Sequence, residues 1–301
     1  MSRTSYTVAC LARHGIGPEV MAEASRAVEA ASRLHGFFVD EHHVPFGADA
    51  LMRFGHPFPI SSRRAVLAAD AVLVASEGGE ALGALEDELD LRASIVRVRM
   101  NERAELSLVA PLRDDAWAWT LGRAFSLACD SRARITLVGV DSRWAGEAEE
   151  LEARRDGLEV ERLGVRDAVR ALVYTPHRFD VVVCPPELAA TAAELAGSLA
   201  QRRAAAWGRL APSGPSVFGA THGAADEIAG QGVADPSSML LAAALMLGEG
   251  LGERSAAATI SSAVGRAREE RREASTRGLA DVVLAQLPLA LANAEFYTEA
   301  V

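Results

Sequence analysis

The sequence predicts an α/β protein with a parallel or mixed sheet flanked by helices. Two observations carry this. Short apolar runs alternate with segments of helical periodicity through most of the chain, and two glycine-rich segments, at 13–20 and 222–236, each lie between a strand-like run and a helix. Taken in order, Tyr6 to Leu11 reads as a strand. Pro18 to Leu34 reads as a helix, with Pro18 in the first turn, where a missing N–H breaks no hydrogen bond. Phe37 to His43, Ala71 to Ala75, Ile95 to Met100 and Glu105 to Pro111 read as further strands, and Ile135 to Val140, Val181 to Cys184 and Ser216 to Ala220 repeat the pattern. The last third changes character: Pro236 to Leu251, Ala256 to Arg272 and Leu279 to Leu291 are helical stretches expected to pack on the sheet begun by Tyr6 to Leu11.

Half of the 301 residues are hydrophobic, enough for one large core or two modest ones, and a mean hydropathy of +0.09 describes an ordinary globule. All 31 basic residues are arginine, so no lysine is present to act as a general base or Schiff-base amine. A formal charge of −10 argues against a nucleic-acid partner, because phosphate binding draws on clustered cations. The cluster Arg266 to Arg272 is interleaved with Glu269 and Glu270 and reads as a solvated helix face. Cys10, Cys129 and Cys184 sit in apolar runs without a C-x-x-C pair and read as reduced, buried thiols. No apolar stretch approaches the roughly 20 residues of a membrane span, so the expectation is a cytoplasmic protein with no membrane partner.

The segment RHGIGPEV, Arg13 to Val20, follows a strand and opens a helix, an arrangement that brings backbone N–H groups close to a ligand. A tight strand-to-helix turn needs glycine with or without a ligand. The segment HGAADEIAGQGVADP, His222 to Pro236, follows another strand and is rich in small residues, which permit close approach of a planar ring or a sugar. With FGADALMRFGHPFP, ADAVLVASEGG, ELDLRASIVRVR and TPHRFDVVV between them, these segments occur in an order that resembles the β-decarboxylating dehydrogenases, the isocitrate and isopropylmalate dehydrogenase family, with the isopropylmalate enzymes most similar. The resemblance covers most of the chain and runs to Glu295 and Phe296.

The resemblance implies an isopropylmalate dehydrogenase-like two-domain fold that is not a Rossmann fold. Residues 1–100 with 207–301 would form the larger, cofactor-type domain and 101–206 the smaller one. It also implies NAD as cofactor, with His222, Gly223, Ala224, Glu227, Ile228, Asp235 and Ile16 as its contacts. Glu227 would meet the ribose hydroxyls and would repel a 2′-phosphate. Asp226 and Asp235 replace a proline and an asparagine of the pattern, and Arg13-His14 replaces its Gly-Asp. His14 and Arg99 are the candidate catalytic residues, since Arg99 lies near a lost carboxylate-binding position and imidazole titrates near neutrality.

Matched residue by residue, the rest of the family apparatus is replaced. The metal aspartates align with Ala190 and Glu194, the third carboxylate with Arg166, the lysine with Ser142, and the substrate arginines with Val96 and Ala110. A hard divalent cation needs several oxygen ligands, so no metal is expected. The segment carrying the family's tyrosine and its dimer-clasping arm is absent between Leu112 and Asp114. The first expectation is therefore a diverged family member that binds NAD without oxidative decarboxylation. The alternatives are a metal-free enzyme on the same scaffold, with His14, Glu77, Glu80 and Arg99 lining its cleft around a small-molecule ligand, or a partner subunit, as a homodimer or a heteromer with an active paralogue.

Overall fold

The computed structural model describes residues 4–12, 14–75, 80–99, 105–189, 191, 204–270 and 275–298. The chain divides into two compact units, Met1–Asp90 with Ala205–Val301, and Leu91–Ala204.

In the first unit the apolar runs become a sheet of order β2-β1-β3-β10-β9. Here β1 is Ser5–Leu11, β2 Phe38–His43, β3 Ala71–Val74, β9 Ala204–Leu210 and β10 Ser216–Ala220. The first four in spatial order pair in parallel and β9 pairs antiparallel with β10. Helix α1, Gly17–His35, shows why periodicity predicted it. Val20, Met21, Ala24, Ala27, Val28 and Ala31 recur every three or four residues and are all buried. It stops at Gly36, whose left-handed φ of 82° lets its N–H reach the Ser32 carbonyl. The short helices α2 (Gly47–Phe54), α3 (Ile60–Leu67) and α4 (Glu80–Asp87) complete the front half of the unit.

The second unit has a sheet of order β4-β5-β8-β6-β7, with β4 Ala93–Arg99, β5 Glu105–Pro111, β6 Arg134–Val138, β7 Glu159–Leu163 and β8 Val181–Val183. β4 and β5 are antiparallel and the others pair in parallel. Helices α5 (Trp117–Cys129), α6 (Ala145–Ala153) and α7 (Val165–Tyr174) belong to it. Because β4 pairs with β5 over its whole length, the chain passes into this unit at Leu91.

After β10 the chain builds α8 (Ser237–Leu245), which runs into a π-helical turn at Met246–Gly250, then α9 (Arg254–Glu269) and α10 (Thr276–Thr298). α8 packs on β10, and α1 packs against α8, α9 and α10, so the last third does cover the sheet that contains β1. The run Pro236 to Leu251 is thus one apolar helix with a widened last turn.

Three expectations are corrected. Cys129 is exposed, since it ends α5 on the outer side, whereas Cys10 and Cys184 are buried. The Arg266 to Arg272 cluster is not a uniformly solvated face. Arg268 is 12% exposed and pairs with Asp235, and Arg266 donates to the Gln286 carbonyl. Residues 271–274 lie outside the described set. The polar strand β7 and the alanine-rich strand β9 have no counterpart in the pattern reading. No helix among the described residues is long and apolar enough to cross a membrane.

Candidate cofactor loops and the strands of the second unit

The two glycine-rich segments meet within the first unit. The Ile16 N–H donates to the Ala224 carbonyl at 2.8 Å, which ties the turn before α1 to the loop after β10. Gly15, at φ 69°, lies so close to that loop that a β-carbon would stand 2.1 Å from the Ala224 oxygen. Gly17 is equally constrained, since a β-carbon there would stand 1.9 Å from the Ala12 oxygen. Both glycines are required by backbone packing before any ligand is considered.

The loop is held at three further points. Glu19, in the first turn of α1, accepts the Gly232 N–H at 3.2 Å, and Gln231 donates to the Glu227 carbonyl at 2.8 Å. Asp235 accepts the Ser237 N–H at 2.9 Å and pairs with the Arg268 guanidinium at 2.7 Å. Burial alone would raise the Asp235 pKa, but the Ser237 hydrogen bonds and the Arg268 charge outweigh it and hold the carboxyl below its usual range. Asp235 therefore closes the loop onto α8 and α9. Sequence reasoning missed Glu19 and Arg268 as its partners. Glu19 sits in the motif and was open to notice, whereas Arg268 is brought up only by tertiary packing.

Within this frame His222 stands out. Its Nδ1 lies 3.0 Å from the Gly223 carbonyl, and its buried Nε2 has no hydrogen-bond partner. Burial lowers its pKa, so the ring is neutral at pH 7, and with the proton on Nδ1 the bare Nε2 is an acceptor. Gly223 has no neighbour within 4 Å of where a β-carbon would sit, and Glu227 is exposed on the short 3-10 turn Asp226–Ile228. Ile16 is buried and Ile228 partly so. An orphaned acceptor beside open glycine backbone fits a planar, amine-bearing ring such as adenine. His14 lies 3.8 Å from Asp226, with its Nδ1 buried and unpartnered. Arg13 and Glu77 lie outside the described residues, and nothing is described of the Glu80 side chain.

The second unit places its matched positions differently. In the β4–β5 register Val96 faces Leu108, and Ser94 faces Ala110. Val96, Leu108 and Ala110 pack into an apolar cluster with Ala168 and Leu172 of α7 and with Val182 and Cys184. Strand alternation sends Arg97 and Arg99 to the opposite face from Val96, and there both are engaged. Arg97 bonds Ser107 at 3.3 Å, and Arg99, 6% exposed, pairs with Glu105 at 3.3 Å. Arg99, a candidate catalytic residue on sequence, therefore faces away from the Val96 position, as Arg97 does. Ser142 and Arg166 are exposed, and Asp167 bonds Arg170. Glu194 and the fold at Ala190 lie outside the described residues. After Pro111 the chain turns directly through Asp114–Ala116 into α5, where Trp117 stacks on Trp144 at 4.6 Å and 4°. Pro111, Leu112, Arg113, Asp114, Trp117, Arg143 and Glu187 border a cavity of about 250 Å³.

The family model described as isocitrate/isopropylmalate dehydrogenase matches residues 121–301. The 3-isopropylmalate dehydrogenase of Pseudoalteromonas translucida is 31% identical over 89% of this chain and 92% of its own, and that of Synechococcus sp. strain CC9605 is 29% identical over 86% and 90%. Among solved structures, the isocitrate dehydrogenase of Methylococcus capsulatus superposes with a TM-score of 0.76 at 21% identity, covering 94% of this chain and 99% of that one. The β-decarboxylating dehydrogenase of Thermococcus kodakarensis, in its apo form, gives 0.77 at 20%, covering 94% and 96%. These two show the fold, a mixed sheet flanked by helices. With the family model spanning more than half of the sequence, the chain belongs to the isocitrate/isopropylmalate dehydrogenase family.

Proposed function

We propose that this protein is a diverged member of the family that binds NAD through the loop from His222 to Asp235 and does not carry out metal-assisted oxidative decarboxylation. Members of the family use NAD(P) and a divalent metal ion and bind small-molecule substrates. The observation that carries the NAD reading is the buried, unpartnered Nε2 of His222 in a loop tied to α1, α8 and α9. His222, Gly223, Ala224, Ile228 and Ile16 border the adenine, and Glu227 takes the ribose hydroxyls. Asp235 serves by holding the loop. Bound NAD supplies a hydride acceptor.

The donor set does not fit a hard divalent cation at the family position. Ala190 offers no carboxylate, which leaves Glu194 as a single acid, and Arg166 brings a positive charge where an anion is needed. Among the described residues of the second unit, no three His, Cys, Asp or Glu side chains bring ligand atoms together. Ala110 is buried in the apolar cluster and Val96 packs half-buried against it, and neither has a guanidinium to offer a substrate carboxylate.

Calorimetric titration with NAD and NADP, repeated on Glu227→Ala, tests the reading, followed by assays of NAD reduction with isopropylmalate, isocitrate, malate and tartrate in Mg²⁺ or Mn²⁺. Binding of NAD in preference to NADP, weakened about tenfold in the variant, with no turnover, is the expected result. Absence of NAD binding ends the cofactor reading, and robust metal-dependent turnover ends the second half of the proposal.

A second reading, a metal-free enzyme, is favoured by the cavity beside Trp117, where Arg113, Asp114, Arg143 and Glu187 place charges of both signs around an aromatic face. A third, a partner subunit, is favoured by α7, which leaves Val165 and Tyr174 exposed at its two ends. Co-purification with a catalytic homologue would support the third, and a monomer at working concentration would count against it.

A further inference from the structure

A cluster of three side chains with different donor atoms lies in the first unit, apart from the cofactor loops. The parallel β1–β2 register places Cys10 opposite His43, and Glu41 shares the His43 face two residues earlier. The thiol, one carboxylate oxygen and one imidazole nitrogen all lie within 4.8 Å of one another. The His43 Nε2 to Glu41 Oε2 separation is already 3.6 Å. Neighbouring ligands of a tetrahedral Zn²⁺ stand about 3.3–3.6 Å apart, as follows from metal–ligand bonds of about 2.0–2.3 Å. Small side-chain rotations therefore close the set.

We propose that Cys10, Glu41 and His43 form a binding site for a borderline-soft divalent transition metal of the Zn²⁺ type, with water as the fourth ligand. The donor chemistry selects this class. A sulfur, an imidazole and a single carboxylate suit Zn²⁺ or Co²⁺ and do not suit Mg²⁺ or Ca²⁺, which take several oxygens. The burial of the three residues is graded as such a site requires. Cys10 is fully buried, Glu41 is 16% exposed and His43 is 55% exposed, so the ion enters from the His43 side and water completes its shell there. Ser25 on α1 donates to this same Glu41 Oε2 and orients the carboxylate from outside the ligand set, and an oxygen with two lone pairs can accept that bond and still bind a metal. Without metal, burial pushes the Cys10 thiol well above its ordinary pKa, with the Glu41 charge adding to it, so the group is a closed thiol. Metal binding displaces that proton to solvent as the thiolate–metal bond forms.

The other face of β2 makes no competing site, because His42 is paired there with Asp40 at 2.9 Å. The site shares no residue with Ala190, Glu194 or Arg166, nor with the loop from His222 to Asp235, so its failure would leave NAD binding by that loop untouched.

Cobalt(II) titration of the intact protein under reducing conditions tests the proposal, because a thiolate ligand gives a sulfur-to-cobalt charge-transfer band that carboxylate and imidazole cannot produce. One equivalent per chain, displaced by Zn²⁺, is expected. The band should vanish in Cys10→Ser and persist in Cys129→Ser, which removes the exposed cysteine. His43→Asn changes a half-exposed edge-strand residue that the fold does not depend on, and it should weaken Co²⁺ binding by about tenfold or more. A band that is absent, that depends on Cys129, or that is unchanged in His43→Asn would overturn the site.

Discussion

The turn at Gly15 and the strand pair β4–β5 are both matched by the sequence resemblance to working parts of the family, and they are built in opposite ways. At the turn, what matters is backbone: the Ile16 N–H on the Ala224 carbonyl and the absence of a β-carbon at Gly15. On the strands, what matters is side chains, and Val96 and Ala110 have joined the apolar cluster under α7 while Arg99 is tied to Glu105. A backbone-built feature keeps its geometry as long as its glycines remain. A feature built from side chains is lost when packing claims the positions, because a methyl group in a core is more stable than an unpaired guanidinium. This difference can be tested by perturbing each region and comparing stability with NAD binding.

The largest expected effect lies in the second unit. Trp144 is 1% exposed and stacked on Trp117, so Trp144→Ala should cost about 3–5 kcal/mol in denaturant unfolding. Trp144→Phe should cost much less, because the indole N–H it removes has no partner. If the second unit is built for packing, neither variant that folds will alter NAD affinity, and a loss of affinity in Trp144→Phe would break the comparison.

Next comes Gly15→Ala. Its β-carbon would meet the Ala224 oxygen, and its φ of 69° is strained for any L residue. About 3 kcal/mol of destabilisation is expected, together with a loss of NAD binding larger than the fold-change seen in Glu227→Ala. Binding that survives with less than about 1 kcal/mol lost would mean that the two loops are not held together as described.

Asp235→Asn should cost about 1–2 kcal/mol, since the carboxylate is one-third exposed and screening reduces the value of the Arg268 pair. The sign of its pH dependence follows from its lowered pKa. The contribution is present above the unfolded value of about 4 and is lost as pH falls through the folded one. The stability gap between wild type and variant should therefore shrink in acid, and a gap constant down to about pH 2 would show that charge is not what holds the loop.

How much of this was legible in the sequence depends on the range of the interaction. β1, α1, β5 and β10 were readable because apolar period and glycine punctuation are local signals. β7 was not, because the edge strand Glu159–Leu163 is largely polar and is fixed only by pairing with β6. β9 begins with three alanines, which favour helix, and becomes a strand through its antiparallel pairing with β10, where Trp207 donates to the Ala220 carbonyl. There, too, a glycine is required: a β-carbon on Gly219 would stand 2.3 Å from the Trp207 ring. The loop from His222 to Asp235 was legible from its small residues. Its anchors were only half so, since the Asp235–Arg268 pair joins residues 33 apart. The Cys10, Glu41 and His43 cluster depends on a strand register that no single segment discloses.

A stabilising substitution sharpens the contrast further. Ala225 holds a left-handed φ of 45° within the loop after β10, a strain that glycine would not incur. Ala225→Gly should raise stability by about 0.5–1 kcal/mol after the greater freedom of glycine in the unfolded chain is allowed for. If the loop serves to bind NAD, affinity will be unchanged or slightly improved. A thermal melt that falls would mean that the alanine methyl packs in a way that offsets its strain.

The smallest effect is expected at His222. Burial lowers its pKa from the ordinary 6.5, so the folded state prefers the neutral ring. A depressed imidazole pKa contributes stability above about pH 6.5 that is lost as pH falls through the folded value, because the unfolded chain takes up the proton first. Wild type should therefore lose stability faster than His222→Gln as pH falls below about 6.5. NAD should move the pKa lower still, since a ring nitrogen accepting a bond from the adenine amine resists protonation. Proton NMR of the His222 imidazole with and without NAD reads this directly. A titration that does not shift on adding saturating NAD would place the adenine away from Nε2, even if the cofactor binds, and would leave the orphaned nitrogen to the packing of the loop.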